Sequence, residues 1–315
     1  MSKPLLTLKI DVDTYRGTLE GVPNLVRLLS KYQAGATFLF SLGRDHTGWA
    51  LRRAFRPGFF SKVSRTSVLE HYGVKTLMYG TLLPGPDIGK GGAKAMQQVR
   101  DAGFECGIHT WDHVVWQDNV HAKDQAWTLA MMRKAAQRFA HLFGAAASTI
   151  GAAGWQMNPH AFREHETAGY AYASDGRAML NDDGSLSSAA SGPHRLGDSM
   201  ACIQLPTTLP TLDELLGRTI DGSLITSSNI ATHLLKLSHG ATRDHVYTLH
   251  AELEGQKLAP IFEQLLAGWQ KQGYQLASMA QYYEKVKDTA LPICPITWGE
   301  LPGRSGQLIV QGAAV

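Results

Sequence analysis

The sequence predicts an α/β fold in which parallel strands, each followed by a helix, curl into a distorted (β/α) barrel. Strand, helix and strand succeed one another within residues 4–40, the signature of a parallel crossover unit. The same alternation recurs down the chain. With 315 residues, 44% of them hydrophobic, the chain can bury most of its apolar surface in one such body without staples.

Residues 4–12 are Leu-rich and β-branched and read as the first strand. After the turn-like Tyr15-Arg16-Gly17, Val22, Leu25, Val26, Leu28 and Leu29 fall on one face of a helix over 22–32. Residues 36–40 form a short apolar strand. A helix over 94–102 leads to a strand over 104–108 that ends in His109. A long helix follows over 125–143, then a strand near 149–153, a helix over 160–168 and a strand over 170–174. Further on come a helix over 229–237, a strand over 246–250 and a helix over 260–272. This barrel occupies residues 1–290. Two stretches stand outside the repeat. Residues 44–92 form an insert after the second strand, too long for an ordinary loop. Residues 291–315, punctuated by Pro292, Pro295 and Pro302-Gly303, are expected to form an irregular tail.

Thirty Lys and Arg against 27 Asp and Glu leave a net charge of +3, too small to make nucleic acid the main partner. Cys106, Cys202 and Cys294 lie far apart and are odd in number, which argues against a disulfide framework or a cysteine-based zinc site. Residues 1–8 run directly into Lys9-Ile10-Asp11-Val12-Asp13, leaving no apolar core for an export signal. No run of 18 apolar residues is present. The expectation is a soluble cytoplasmic protein.

Three clusters carry chemistry. In Asp11-Val12-Asp13, residues i and i+2 share one strand face, so two carboxylates converge where the first strand ends. A cation with one ligand carboxylate and one free base would relieve their repulsion; a solvated loop or a helix cap is the plainer account. In His109-Thr110-Trp111-Asp112-His113, an i, i+4 pair on one helical turn would suit two imidazoles on one metal. Asp112 is a candidate to orient a ligand ring. Such a pair also occurs on any His-rich helix. His250, in Tyr247-Thr248-Leu249-His250-Ala251-Glu252, ends a late strand, where barrel enzymes keep catalytic groups; alone, a satisfied histidine in a core or cap is the plainer account.

Together the clusters resemble the NodB-like polysaccharide deacetylases, carbohydrate esterase family 4, over residues 6–283. That resemblance implies a distorted (β/α) barrel, a divalent metal held by Asp and two His, and hydrolysis of N-acyl groups from sugars. Carried over, it makes Asp13, His109 and His113 the metal ligands, Asp11 the base and His250 the general acid. The family's two aspartates are adjacent, whereas Val12 separates them here, so the division of labour between Asp11 and Asp13 stays open. The family's Arg-Pro-aromatic segment is replaced by Ala152-Ala153-Gly154-Trp155-Gln156, in which Trp155 would wall the sugar pocket or belong to the core.

Finer matches point to a branch of the family that removes formyl groups from a lipid-linked amino sugar. They are residues 9–18 with Glu20-Gly21-Val22-Pro23, residues 152–155, Tyr172-Ala173-Ser174-Asp175-Gly176-Arg177, residues 204–211, and His250-Ala251-Glu252-Leu253-Glu254-Gly255. This implies a substrate on an undecaprenyl phosphate carrier and a place at the cytoplasmic side of the bacterial inner membrane. Arg16, Trp155, Asp175 and Arg177 become candidates for the substrate side, the arginines as phosphate donors or as ordinary ion-pair residues. Zinc suits the two-His, one-Asp set, as would manganese or cobalt. Within the insert, Arg44, Arg52, Arg53, Arg56, Lys62 and Arg65 against the single acid Asp45, interleaved with Trp49, Phe55, Phe59 and Phe60, suit peripheral contact with anionic lipid. The competing readings are a deacetylase of soluble amino sugars and a catalytically silent glycolipid-binding protein.

Overall fold

In the computed structural model, residues 3–50, 73–181, 186–187, 191–197, 199–240 and 243–315 are described. The first strand, β1 (Leu5–Val12), is buried at every position, as expected for a parallel strand covered on both faces. It lies between β10 (His245–His250) and β2 (Thr37–Ser41), both parallel to it, while β11 (Gln275–Ala277) pairs with residues 5–7 at its opening end. From β2 the sheet continues through β3 (Glu105–Thr110), β4 (Thr149–Ile150), β5 (Tyr172–Ala173) and β7 (Ser199–Gln204). All these junctions are parallel. The antiparallel β6 (His194–Leu196) follows β7, and a small separate ribbon joins β8 (Thr219–Ile220) to β9 (Ser223–Leu224).

The sheet curls until the segment after β7 meets β10. There the Thr208 amide donates to the Val246 carbonyl at 3.0 Å, the Val246 amide donates to Thr208 Oγ1 at 2.9 Å, and the Thr207 and Thr248 hydroxyls lie 2.7 Å apart. The distorted (β/α) barrel is therefore the observed architecture.

The helices fall where periodicity places them, within a residue or two at each end: Val22–Lys31, Ala93–Asp101, Gln125–Phe143, Pro159–Ala168, Ile230–Ser238 and Ala259–Lys271. Asp124 and Asn158 accept from the backbone N–H groups of Trp127 and Ala161, so each caps its helix. Leu6, Leu8, Ile10, Val12, Phe38 and Phe40 join the helical apolar faces in the main core.

The tail departs from expectation. Residues 293–311 carry β12 (Ile293–Cys294), which pairs with β6, and an antiparallel hairpin of β13 (Ile296–Glu300) and β14 (Gln307–Gln311). The prolines that suggested irregularity stand between strands: Pro295 separates β12 from β13, and Pro302-Gly303 lies in the connection to β14. Leu301, Leu308 and Val310 bury themselves around Trp155, and that apolar contact holds the hairpin on the barrel. Residues 51–72 of the insert, including Arg52, Arg53, Phe55, Arg56, Phe59, Phe60, Lys62 and Arg65, lie outside the described residues. Among the described residues, no helix is long and apolar enough to cross a membrane.

Candidate active site

Parallel strands deliver their C-terminal ends to one rim of the barrel. Asp11 and His250 are register partners across β1 and β10, so a carboxylate and an imidazole stand side by side without any loop to place them. Both are buried. Asp13 follows on the first residue after β1, and His109 lies on β3.

His113 corrects one expectation. His109 belongs to the strand and His113 opens the helix His113–Asn119, so the pair spans a strand-to-helix turn and not one helical turn. The turn still converges the rings, whose centroids are 5.4 Å apart. Asp13 Oδ1 lies 3.2 Å from His109 Nε2, and Oδ2 lies 3.4 Å from His113 Nε2. One ligand atom from each of these three residues falls within 4.8 Å of the other two. His109 Nδ1 lies 2.8 Å from the Gly151 carbonyl, which can only accept, so that nitrogen carries a proton. A neutral ring would then aim the Nε2 lone pair at a carboxylate, and only a proton or a cation between them removes the conflict. The donor set fits a divalent ion.

The electrostatics agree. Burial by itself would raise the Asp13 carboxyl, but His113, the hydrogen bond from His109 and the nearby His250 outweigh it and hold the group well below the usual carboxylate range. Burial would lower His109, yet Asp11 and Asp13 raise it. For Asp112 the structure shows other partners than the ring of His109. It caps the helix through Val115 N–H and takes the Nδ1 of His46 as its partner, a cap position that draws it away from His109.

Sequence reasoning missed Glu252. Its Oε1 accepts from Asp13 N–H at 3.0 Å, Thr14 N–H at 2.7 Å and the Thr14 hydroxyl at 2.8 Å, clasping the loop that presents Asp13. Burial, then the Asp13 carboxylate, push Glu252 well above the ordinary value. A Cβ on Gly17 would come within 2.0 Å of that same oxygen, so the segment after β1 packs directly on Glu252. Lys9 was also missed: wholly buried, it places Nζ 3.3 Å from Asp11 Oδ2.

Trp155 is a buried wall, its backbone held at φ 53° beside Gly154 at φ 61°. Arg177 and Arg304 lie 4.6 and 4.7 Å from its ring centroid. Arg177 is fully buried and engaged by Glu214 and by the Leu209 carbonyl. The expectation of a phosphate contact there is replaced by a role in bracing Trp155, because the guanidinium is enclosed beneath the hairpin. Asp175, also buried, accepts from Ala152 N–H at 3.0 Å and from Gln204 Nε2 at 2.9 Å. It therefore supports the Trp155 loop from behind. Arg16 stays at the surface with Nε 2.8 Å from Glu20.

Over nearly its whole length the chain is similar to proteins named "Probable 4-deoxy-4-formamido-L-arabinose-phosphoundecaprenol deformylase ArnD". One from Shewanella sediminis is 33% identical over 308 residues, covering 98% of this chain and 95% of that protein. The chain belongs to this deformylase family. The relative from Wigglesworthia glossinidia brevipalpis is 28% identical over 94% of this chain and 98% of its own. No family model matches. Among solved structures, a protein named as a polysaccharide deacetylase from Mycobacterium smegmatis superposes with a TM-score of 0.59 at 16% identity, over 96% of this chain and 97% of that one. A GH57-type branching enzyme from Pyrococcus horikoshii gives 0.57 at 12% identity, over 96% and 73%. These two share the deformylase chain's fold.

Proposed function

We propose that the protein hydrolyses the formamide of undecaprenyl-phosphate-linked 4-deoxy-4-formamido-L-arabinose, giving formate and the free 4-amino sugar. The observation that carries this reading is the gathering of Asp13, His109 and His113 beside a buried carboxylate and the His250 imidazole, in a chain of the deformylase family. Asp13, His109 and His113 would hold the metal, zinc first, with manganese or cobalt also suited to this donor set. Bound there, a divalent ion supplies Lewis acidity toward a carbonyl and toward water.

The chain's own groups divide the proton work. Asp11 takes a proton as water attacks the formyl carbon. His250, protonated, delivers one to the sugar nitrogen as the C–N bond breaks, because an amine anion is too poor a leaving group to depart unassisted. Trp155 would wall the sugar side, and Arg16 would contact the phosphate as a charge-assisted donor. The carrier is too apolar to leave the bilayer, so the enzyme works at the inner cytoplasmic membrane surface, with the basic-aromatic residues 44–65 as the contact. The amine released serves lipid A modification and, through it, polymyxin resistance.

Formate release from the carrier-linked sugar, measured with and without a chelator, tests the reading. Turnover that is abolished by chelation and restored by zinc, manganese or cobalt is expected. Undiminished turnover in a metal-stripped protein, or none in a loaded one, would remove it.

A further inference from the structure

Lys9 lies on β1 two residues before Asp11, on the same strand face, and is wholly buried. Its one anionic neighbour among the described ion pairs is Asp11, whose Oδ2 is 3.3 Å from Nζ, and the ammonium makes no well-aligned hydrogen bond. A buried ammonium so thinly satisfied is costly to desolvate, so a core strand would ordinarily carry an apolar residue there. The surroundings are shaped for it nonetheless. Nζ lies 5.5 Å from the Trp155 ring centroid, where the π-face favours a cation. Gly151 leaves room for the stem, since a Cβ there would come within 3.0 Å of Lys9 Cε. The other carboxylate oxygen, Asp11 Oδ1, is buried, without a hydrogen bond, and 3.9 Å from His109 Nδ1.

We propose that Lys9 is a positioning residue for the base: its ammonium anchors Oδ2 of Asp11 and leaves Oδ1, which makes no hydrogen bond, to receive the proton. This rests on the reading of Asp11 as the base. Trp155 and Gly151 seat the lysine, and the lysine fixes the carboxylate rotamer.

The experiment compares Lys9→Met, which keeps length without charge, and Lys9→Ala with wild type, each as the intact protein loaded with Co²⁺. Metal stoichiometry and the Co²⁺ absorption spectrum should match wild type and KM should stay within about threefold, while kcat falls by about 100-fold, the scale of a misplaced catalytic group. Ethylammonium should restore kcat saturably in Lys9→Ala, and ethanol should not. A crystal structure of Lys9→Met should show the Asp11 carboxylate rotated away from its wild-type orientation. Near-normal kcat, a loss that ethylammonium does not relieve, an unmoved carboxylate, or failure of both variants to fold or hold metal would overturn the proposal and leave Lys9 a structural residue. Wild type is assayed alongside, so absence of formate there counts against the substrate reading, and the crystallographic arm still decides the role of Lys9.

Discussion

At the scale of single residues, the site is a set of polar groups whose partners decide what each can do. His250 has a buried Nδ1 without a hydrogen bond and stands opposite Asp11, an arrangement suited to moving a proton. Replacing it with Ala should lower kcat by about 10²–10⁴-fold while metal content, read by elemental analysis, stays unchanged; normal turnover would remove the acid role. Gly17→Ala is the converse case, a residue remote from the chemistry with no room for a methyl against Glu252. It should destabilise the fold by about 1–3 kcal/mol and weaken metal retention, both measurable by thermal melts with and without zinc. Asp11, Asp13, His109 and His250 stood out at strand ends and His113 by its i+4 spacing, and the family resemblance joined the five into one site. Lys9 did not, because a lysine in a strand ordinarily marks a solvated face, and its burial depends on Trp155 and Gly151, nearly 150 residues away.

At the scale of elements, the strands and long helices were readable from period and caps, and the hairpin was not. Its apolar residues are few and separated by Pro and Gly, and they make sense only against Trp155, which they help bury. The helical reading of the two histidines failed for a related reason: i, i+4 spacing is shared by one helical turn and by a strand leading into a capped helix, and the Asp112 cap selects the second. The hairpin also delivers Arg304, which lies 2.8 Å from Glu214 and 3.1 Å from Asp213. Glu214 thus serves two guanidiniums at once, and Arg177 with Arg304 holds its carboxyl below the ordinary range despite burial. Glu214→Gln should cost about 3–5 kcal/mol, since it strands a buried cation. Arg304→Ala, which leaves the Arg177–Glu214 pair intact, should cost about 1–3 kcal/mol. Urea denaturation of the two variants provides the comparison, and equal costs would show that the hairpin's arginine matters as much as the buried pair.

At the scale of the whole molecule, pH enters through Glu254 beneath His250. Burial raises its carboxyl from the ordinary 4.5 to about 7, with His250 opposing. Between those values the folded protein binds the proton that the unfolded chain has released, so stability falls as pH rises through the window. His194 and His245, lowered to about 4 chiefly by burial, act oppositely, adding stability as pH climbs from about 4 to 6.5. Glu254→Gln removes only the first contribution. Metal-free wild type should therefore lose stability relative to this variant between pH 4.5 and 7, and parallel denaturation midpoints would contradict the assignment.

Asp13 and its clasp Glu252 are 239 residues apart in sequence, and Asp11 meets His250 only once β10 has docked beside β1. A nascent polypeptide leaving the ribosome exposes Asp13, His109 and His113 well before β10 has been translated. Asp13, His109 and His113 lie just after β1, on β3 and at the start of the helix after β3, whereas His250 reaches Asp11 through a long-range strand pairing. A chain ending before β10 therefore keeps all three residues of the Asp-His-His cluster and lacks the imidazole that faces Asp11.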